Sequence, residues 1–453
     1  MLKKNDIVKV EITDIGFGGE GIAKKDGYTL FIKNAALGDV VMAKILKPNK
    51  NYAYAKIESF IKKSEIRQDS VCSAFPKCGG CEIMHIKYKN QLQIKENIVK
   101  NNIYKITSYK EGDFKFYPII PSPDEYFYRN KAQIPVGKQN GSVEIGFFAS
   151  KSHRIIPFER CMISRDNINK IAKICLEFIK INNLSVYDEQ SHKGVIRNIY
   201  IRDFDNSSFV CFVTNSKKKI ENIEVLAKEL EKYNVTSIVQ NINTNKSNVI
   251  LGEKNITLWG EDYVLANLFD LTFKISPHSF FQVNTKQTEN LYAKAVEYAN
   301  LSENDTVLDL YCGVGTITLS MAKKAGRAIG VEIVEDAILN AKENAKMNGI
   351  ENAVFYAGDA FETVNSLLKD GLKADVVVVD PPRKGCSKEL LDLIETISPK
   401  RVVYVSCNSS TLARDVEILK EKGYILKKLT PVDMFPNTTH VECVALLKNK
   451  TSL

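Results

Sequence analysis

Three short stretches of this 453-residue chain combine residue types that could do chemistry: Asp309-Leu310-Tyr311-Cys312-Gly313-Val314-Gly315, Asp380-Pro381-Pro382-Arg383-Lys384-Gly385 and Ser406-Cys407-Asn408. Each closes an apolar, β-branched run: Thr306-Val307-Leu308, Val376 to Val379, and Val402-Val403-Tyr404-Val405. Such runs read as core strands, and the carboxyl ends of parallel strands are where an open α/β sheet builds its ligand crevice. The first stretch is a glycine-rich turn for a nucleotide-like ligand, the second a rigid polar corner, the third a thiol. Presented side by side, they would make a covalent bond to an acceptor with a cofactor waiting alongside.

The two glycines of the first turn let the backbone approach a ligand closely, but a pyrophosphate turn shows three, as G-x-G-x-x-G. Glu332 ends the next apolar run, Ile329-Gly330-Val331. A carboxylate there can accept hydrogen bonds from both ribose hydroxyls, which favours S-adenosylmethionine over a dinucleotide. Cys407 lies between a core run and a helix starting near Ser409. A helix N-terminus lowers the pKa of a neighbouring thiol, so the sequence predicts an activated nucleophile. Glu442 opens the apolar strand Val441 to Leu446 just after the loop Phe435-Pro436-Asn437-Thr438-Thr439. A carboxylate entering a core strand needs a partner or a task.

The elements that must position these residues form an αβαβ pattern from about residue 284. Helices are expected near 284–299, 316–325, 335–348, 388–397 and 410–422, and strands at 306–311, 327–332, 353–357, 375–380, 401–406 and 441–447. That is a doubly wound sheet with helices on both faces. Upstream, residues 1–61 alternate apolar and polar in short runs punctuated by glycine, the pattern of a small barrel. Twelve Lys among the first 63 residues make it a candidate RNA-facing module. A helix is expected from about Lys87 to Asn101. A hairpin turned at Asn140-Gly141 follows, and then mixed helix and strand to residue 265.

Hydrophobic residues make up 44% of the chain and charged residues 26%, with a formal charge of +9. Residues 266–453 hold 22 Lys+Arg against 24 Asp+Glu, whereas residues 1–265 hold 41 against 30. A polyanion held by the upstream half would explain the asymmetry, and so would a Lys-rich compositional bias. No apolar run reaches membrane-spanning length and no secretory signal is evident, so a cytoplasmic protein is expected. Ten cysteines in such a chain are not expected to be disulfides. Cys72, Cys78 and Cys81 are clustered; with His85 they could bind zinc, or with a further cysteine an iron–sulfur cluster, and spacing alone does not choose. Cys175 and Cys211 read as inert core thiols.

In this order, Ser279-Phe280-Phe281-Gln282-Val283-Asn284, Asp309 to Gly315, Asp380 to Gly385, Ser406-Cys407-Asn408 and His440-Val441-Glu442 resemble the S-adenosylmethionine-dependent RNA uracil-C5 methyltransferases. The resemblance spans essentially the whole chain. It implies a TRAM-like β-barrel over 1–61 and an α+β central domain over 62–265. A Rossmann-like methyltransferase domain would follow over 266–453. It further implies a [4Fe–4S] cluster on Cys72, Cys78, Cys81 and Cys161. Cofactor contacts would come from Gln282, Tyr311, Glu332, Asp359 and Asp380, with Cys407 as nucleophile and Glu442 as base. Members with both extensions most often modify 23S ribosomal RNA, so that is the expected partner, with transfer RNA the alternative. From another class, a non-catalytic RNA-binding iron–sulfur protein is weighed against by an intact Cys407 and Glu442. A monomer without a membrane is expected. One departure stands out: Ser409 occupies a place where members often have proline.

Overall fold

Alternation decides the first sixty residues. Val41, Ala43 and Ile45 face inward while their neighbours do not, and likewise Leu30 with Ile32 and Ala53 with Ala55. The computed structural model, which describes residues 2–452, closes these strands into a six-stranded barrel. They are β1 (Ile7–Glu11), β2 (Asp14–Ile15), β3 (Gly21–Lys25), β4 (Tyr28–Lys33), β5 (Val40–Pro48) and β6 (Tyr52–Lys62), in the order β1-β5-β6-β4-β3-β2. The strand β3 was not expected from the sequence. It pairs with β4 across Asp26-Gly27, both at positive φ, as a two-residue type I′ hairpin requires.

After an irregular cysteine-bearing segment come α1 (Tyr88–Ile106) and β7 (Lys115–Phe116). The central sheet is built from β8 (Lys131–Gln139), β9 (Ser142–Phe148), β10 (Ile155–Pro157), β11 (Ile196–Asp203), β12 (Ser208–Thr214), β13 (Val235–Ile242) and β14 (Lys254–Gly260). Its order is β10-β9-β8-β11-β12-β13-β14. Helices α2 (Asp166–Ile181) and α3 (Ile223–Leu230) bury Ile171, Cys175, Leu226 and Leu230 against one face. The expected β8–β9 turn forms with Asn140 and Gly141 both at positive φ. A separate hairpin, β15 (Val264–Leu268) with β16 (Leu271–Ile275), packs toward the C-terminal layer.

The last layer contains α4 (Thr285–Ala299), β17 (Thr306–Leu310), α5 (Thr316–Ala322), β18 (Arg327–Glu332), α6 (Glu335–Met347), β19 (Ala353–Ala357) and α7 (Ala360–Lys369). It continues with β20 (Val376–Val379), α8 (Lys388–Ile397), β21 (Arg401–Ser406), α9 (Ser409–Glu421), β22 (Tyr424–Val432) and β23 (Glu442–Asn449). The eight-stranded sheet runs β19-β18-β17-β20-β21-β23-β22-β7, with β17 to β21 parallel and β23 antiparallel between β21 and β22. Strand order reverses between β17 and β20, which makes that gap the topological switch point.

Part of the stretch 62–265 packs with the C-terminal layer: β7 completes that sheet beside β22, and α1 buries Val99 and Ile103 in the same core as Leu412 and Val416. Among the elements on and around the C-terminal sheet, α7, β22, β7 and β16 were also absent from the sequence reading.

Candidate active site

Five strand ends of the parallel sheet converge on one cavity of about 1150 Å³. All seven residues expected to act there line it: Gln282, Tyr311, Glu332, Asp359, Asp380, Cys407 and Glu442. After β17 the chain turns sharply, with Tyr311 at φ +71° and Gly313 at φ +54° against open space. Glu332, at the end of β18, anchors the turn by accepting from the Gly313 N–H at 3.2 Å and the Val334 N–H at 3.0 Å. Asp359 follows β19 and caps α7, its Oδ1 accepting from the Phe361 and Glu362 N–H groups. Beneath the turn Asp309 is fully buried. One of its oxygens accepts from Thr318 Oγ1 at 2.6 Å and the other has no partner among the described residues. Burial pushes its carboxyl up to about 7.

The Asp380–Gly385 corner is pinned from α9. Arg383 O accepts from Asn408 Nδ2 at 3.1 Å and Thr411 Oγ1 at 3.3 Å, and the Cys386 N–H donates to buried Asp415 at 2.8 Å. Asn408 also caps α9 through the Ser410 N–H, which fixes the backbone beside Cys407. The Ser409 hydroxyl takes a 2.8 Å hydrogen bond from Asn102 of α1, tying the helix start to the upstream chain. Register Ser406↔Cys443 in the antiparallel β21–β23 pair puts Cys407 and Glu442 on the next rung, facing the same cavity. Cys312, Cys386 and Cys443 are buried and do not line it.

The electrostatics reverse one expectation. Burial, then Glu442 and Asp380, push the Cys407 thiol up to about 11, with Arg383 opposing. Two carboxylates and partial desolvation outweigh the helix N-terminus, so the thiol of the free protein is not activated. Burial likewise raises Glu442 to about 8, with Asp380 adding and Arg383 opposing, and it raises Asp380 to about 7.

The wall carrying Phe435, Thr438, His440 and Glu442 is the stretch 433–442, and the upstream chain sets its path. Lys95 and Asp433 form a fully buried ion pair; Lys95 also donates to Phe435 O at 2.9 Å, and Tyr88 OH to Asp433 at 2.8 Å. Asn437 O accepts from the N–H groups of Glu82 and Ile83, and the Thr439 hydroxyl donates to Phe17 O in the barrel. Sequence reasoning assigned no role to Phe280, Arg129, Lys131, Arg383 or His440, all of which line the cavity. Phe280 is 63% exposed beside the buried Phe281, a difference the adjacent pair does not show in the sequence. Arg129 and Lys131 carried no signal either.

Cys72, Cys78, Cys81 and Cys161 line a second cavity of about 260 Å³ that shares Gly80, Arg129 and Lys131 with the first. Among the described residues no group of three or more His, Cys, Asp or Glu side chains converges to hold a metal ion. His85, the residue that could complete a zinc set, is not part of this cavity. It stacks on Phe75 and its Nε2 faces Ala35 O, and burial lowers its pKa to about 4. No helix among the described residues is long and apolar enough to cross a membrane.

Comparison with known proteins agrees with this geometry. A chain from Clostridium tetani named "uncharacterized RNA methyltransferase" is 44% identical over 98% of this chain and 97% of its own length. One of the same description from Clostridium acetobutylicum is 45% identical over 99% and 98%. The crystal structure of Pyrococcus abyssi tRNA (uracil-54, C5)-methyltransferase in complex with S-adenosyl-L-homocysteine superposes with a TM-score of 0.77 at 26% identity. The match covers 97% of this chain and all of that one. A TRAM domain model matches residues 2–57. Because the model described as tRNA (uracil-5-)-methyltransferase matches residues 87–450, the chain belongs to that family and is an RNA methyltransferase.

Proposed function

We propose that this protein transfers a methyl group from S-adenosylmethionine to C5 of a uridine in RNA, through a covalent Cys407–C6 adduct resolved by Glu442. The observation that carries the reading is the adjacency of Cys407 and Glu442 on neighbouring strands in a cavity that also holds the β17 turn. Uracil C5 is a poor nucleophile; addition of the Cys407 sulfur at C6, with its S–H proton lost to solvent, makes C5 an enolate carbon that attacks the donor's methyl and releases S-adenosylhomocysteine. Glu442, once ionised, removes the C5 proton, and elimination of the Cys407 sulfur frees the product. The target base must be flipped out of its RNA fold to reach this depth. Pro381 and Pro382 provide a rigid wall for it.

The donor set fits the cofactor. Glu332 is held at both oxygens by backbone N–H groups beside the open Gly313 turn, with Tyr311, Gln282, Asp359 and Asp380 around the same space. When bound, S-adenosylmethionine supplies the methyl group on a cationic sulfur.

We also infer a [4Fe–4S] cluster on the four cysteines: they line one cavity and number the ligands such a cluster takes. The cluster would hold the Cys72–Cys81 loop to the central sheet at Cys161. Replacing Cys78 with Ala should bleach the brown colour expected of anaerobically purified protein, and stoichiometric zinc without iron would refute the assignment.

For the substrate we place 23S ribosomal RNA first, on the combination of barrel and four-cysteine site, with the cytoplasm as compartment. The full-length likeness to an enzyme named for transfer RNA uracil-54 favours transfer RNA as the second reading. The decisive experiment pairs two variants on bulk RNA. Glu442→Gln should accumulate a methylated covalent enzyme–RNA band on a denaturing gel, and Cys407→Ala should form none. A crosslink surviving in Cys407→Ala, or normal turnover by Glu442→Gln, would overturn the assignment. Mapping the methylated uridine in a deletion strain chooses between the two RNAs.

A further inference from the structure

The barrel carries an aromatic cluster on its outside that its own fold does not need. Along β4 and β6 the inward positions Leu30, Ile32, Ala53 and Ala55 fill the core, so Phe31, Tyr52 and Tyr54 point outward. The parallel register Phe31↔Tyr54 and Thr29↔Tyr52 gathers them, with ring centroids 5.7 Å (Phe31–Tyr52), 5.8 Å (Phe31–Tyr54) and 5.7 Å (Tyr52–Tyr54) apart. Tyr52 remains 37% exposed. Lysines frame the rings on every neighbouring strand. Lys24 stands opposite Thr29 on β3, Lys33 opposite Lys56 between β4 and β6, and Lys47 opposite Tyr54 on β5. Lys56 pairs with Glu58, but Lys24, Lys33 and Lys47 form no ion pair among the described residues.

A fourth cation arrives from outside the barrel. Lys151, on the β9–β10 loop, lies 5.7 Å from the Tyr54 ring centroid. That loop bridges Ala149 to Cys78, and the Gly79 N–H donates to Phe148 O at 3.0 Å. Gly79 and Gly80 in turn line the catalytic cavity. The aromatic face is therefore connected to the catalytic mouth along one edge, with Lys151 between them.

An exposed Tyr52 with half-buried Phe31 and Tyr54 beside it, fringed by unpaired lysines, matches the two needs of an unpaired polynucleotide, stacking for bases and cations for phosphates. We propose that Phe31, Tyr52 and Tyr54 form a stacking platform for unpaired bases of the RNA substrate, whose strand continues over Lys151 toward the catalytic cavity. This rests on the RNA methyltransferase reading above and adds the place and chemistry of a second RNA contact. A double-stranded ligand would offer no free base face, so the platform selects single-stranded flanks of the target.

The test measures binding of the full-length protein to a uridine-rich single strand of about 12 nucleotides, a length in the range of one such barrel. The Tyr52→Leu/Tyr54→Leu variant keeps apolar bulk and removes two π faces. Its affinity should fall by at least about tenfold with the salt dependence unchanged, whereas Lys24→Ser/Lys47→Ser should flatten the salt slope. On substrate RNA the tyrosine variant should raise KM and leave kcat in place. Wild-type protein irradiated with 5-iodouridine RNA should crosslink at Tyr52 or Tyr54, a readout independent of whether the variant folds. Unchanged affinity in a variant that melts like wild type, or no crosslink on the platform, overturns the proposal and leaves these rings to a protein partner. Failure of the wild type to methylate any RNA would instead overturn the reading beneath it.

Discussion

The state of the Cys407 thiol in the free protein decides between two physical effects that pull in opposite directions. The α9 N-terminus favours the thiolate by about 0.3–1 kcal/mol. Burial and the two carboxylates move the thiol from 9.0 to about 11, which makes ionisation about 2.7 kcal/mol harder. The second effect is the larger by more than a factor of two, so the resting thiol stays protonated. At about pH 7.5 roughly one molecule in 3,000 is then thiolate, against about one in 30 for an ordinary cysteine. Alkylation by iodoacetamide, followed by mass spectrometry of the Cys407 peptide across a pH series, measures this directly. Cys407 should react about 100-fold more slowly than a free thiol near neutrality, with its inflection near 11. Glu442→Gln removes the larger of the two carboxylate effects and should move the inflection down. An inflection at or below about pH 8.5 in the wild type would refute the reasoning and restore the helix N-terminus as the dominant influence.

Three further outcomes follow from the same site. As the proposed base, Glu442 must be ionised, and it is held up to about 8, so kcat/KM should climb as pH rises through that value; a flat profile from about pH 6 to 9 would exclude it as the base. Asp309 has a folded-state pKa of about 7 above an ordinary 3.8. The folded state therefore holds a proton that the unfolded chain lacks, and stability falls as pH rises through that window. By about pH 8 its charge costs up to about 4 kcal/mol, so Asp309→Asn should raise the urea midpoint at that pH and much less near pH 5. Lys95→Met strands the buried Asp433 carboxylate and should cost about 3–5 kcal/mol in chemical denaturation. Adding Asp433→Asn should recover most of it, and a loss under about 1 kcal/mol in the single variant would show that the pair is not as dry as it looks.

The catalytic sheet was legible because its signals are local: valine runs, each ended by Asp, Gly or Cys, mark both the strands and the corners. Asp359 and Glu362 form a capping pattern that could have revealed α7. Val364, Leu367 and Leu368 also recur at helical spacing and pack on the core, so both signals of this helix are local. Other features had no local signal at all. The raised Cys407 thiol depends on burial, then on Glu442 and Asp380, which only the folded sheet brings together. The attachment of α1 to the C-terminal layer rests on Lys95–Asp433 and Gln91–Asn437, partners more than 330 positions apart. Lys95 and Gln91 read as ordinary solvated positions on a helix until Asp433 and Asn437 cover them.

That separation has a consequence for how the molecule is made. The helix α1 leaves the ribosome early, but its buried lysine has no counter-charge until Asp433 has been synthesised, roughly 20–70 s later at ordinary elongation rates. The closing strand β23 does not extend an edge; it inserts between β21 and β22. A chain lacking β23 would thus have a gap in the middle of its sheet and no Glu442. Completion of the catalytic layer therefore waits on β23, with long-range pairing as its slow step.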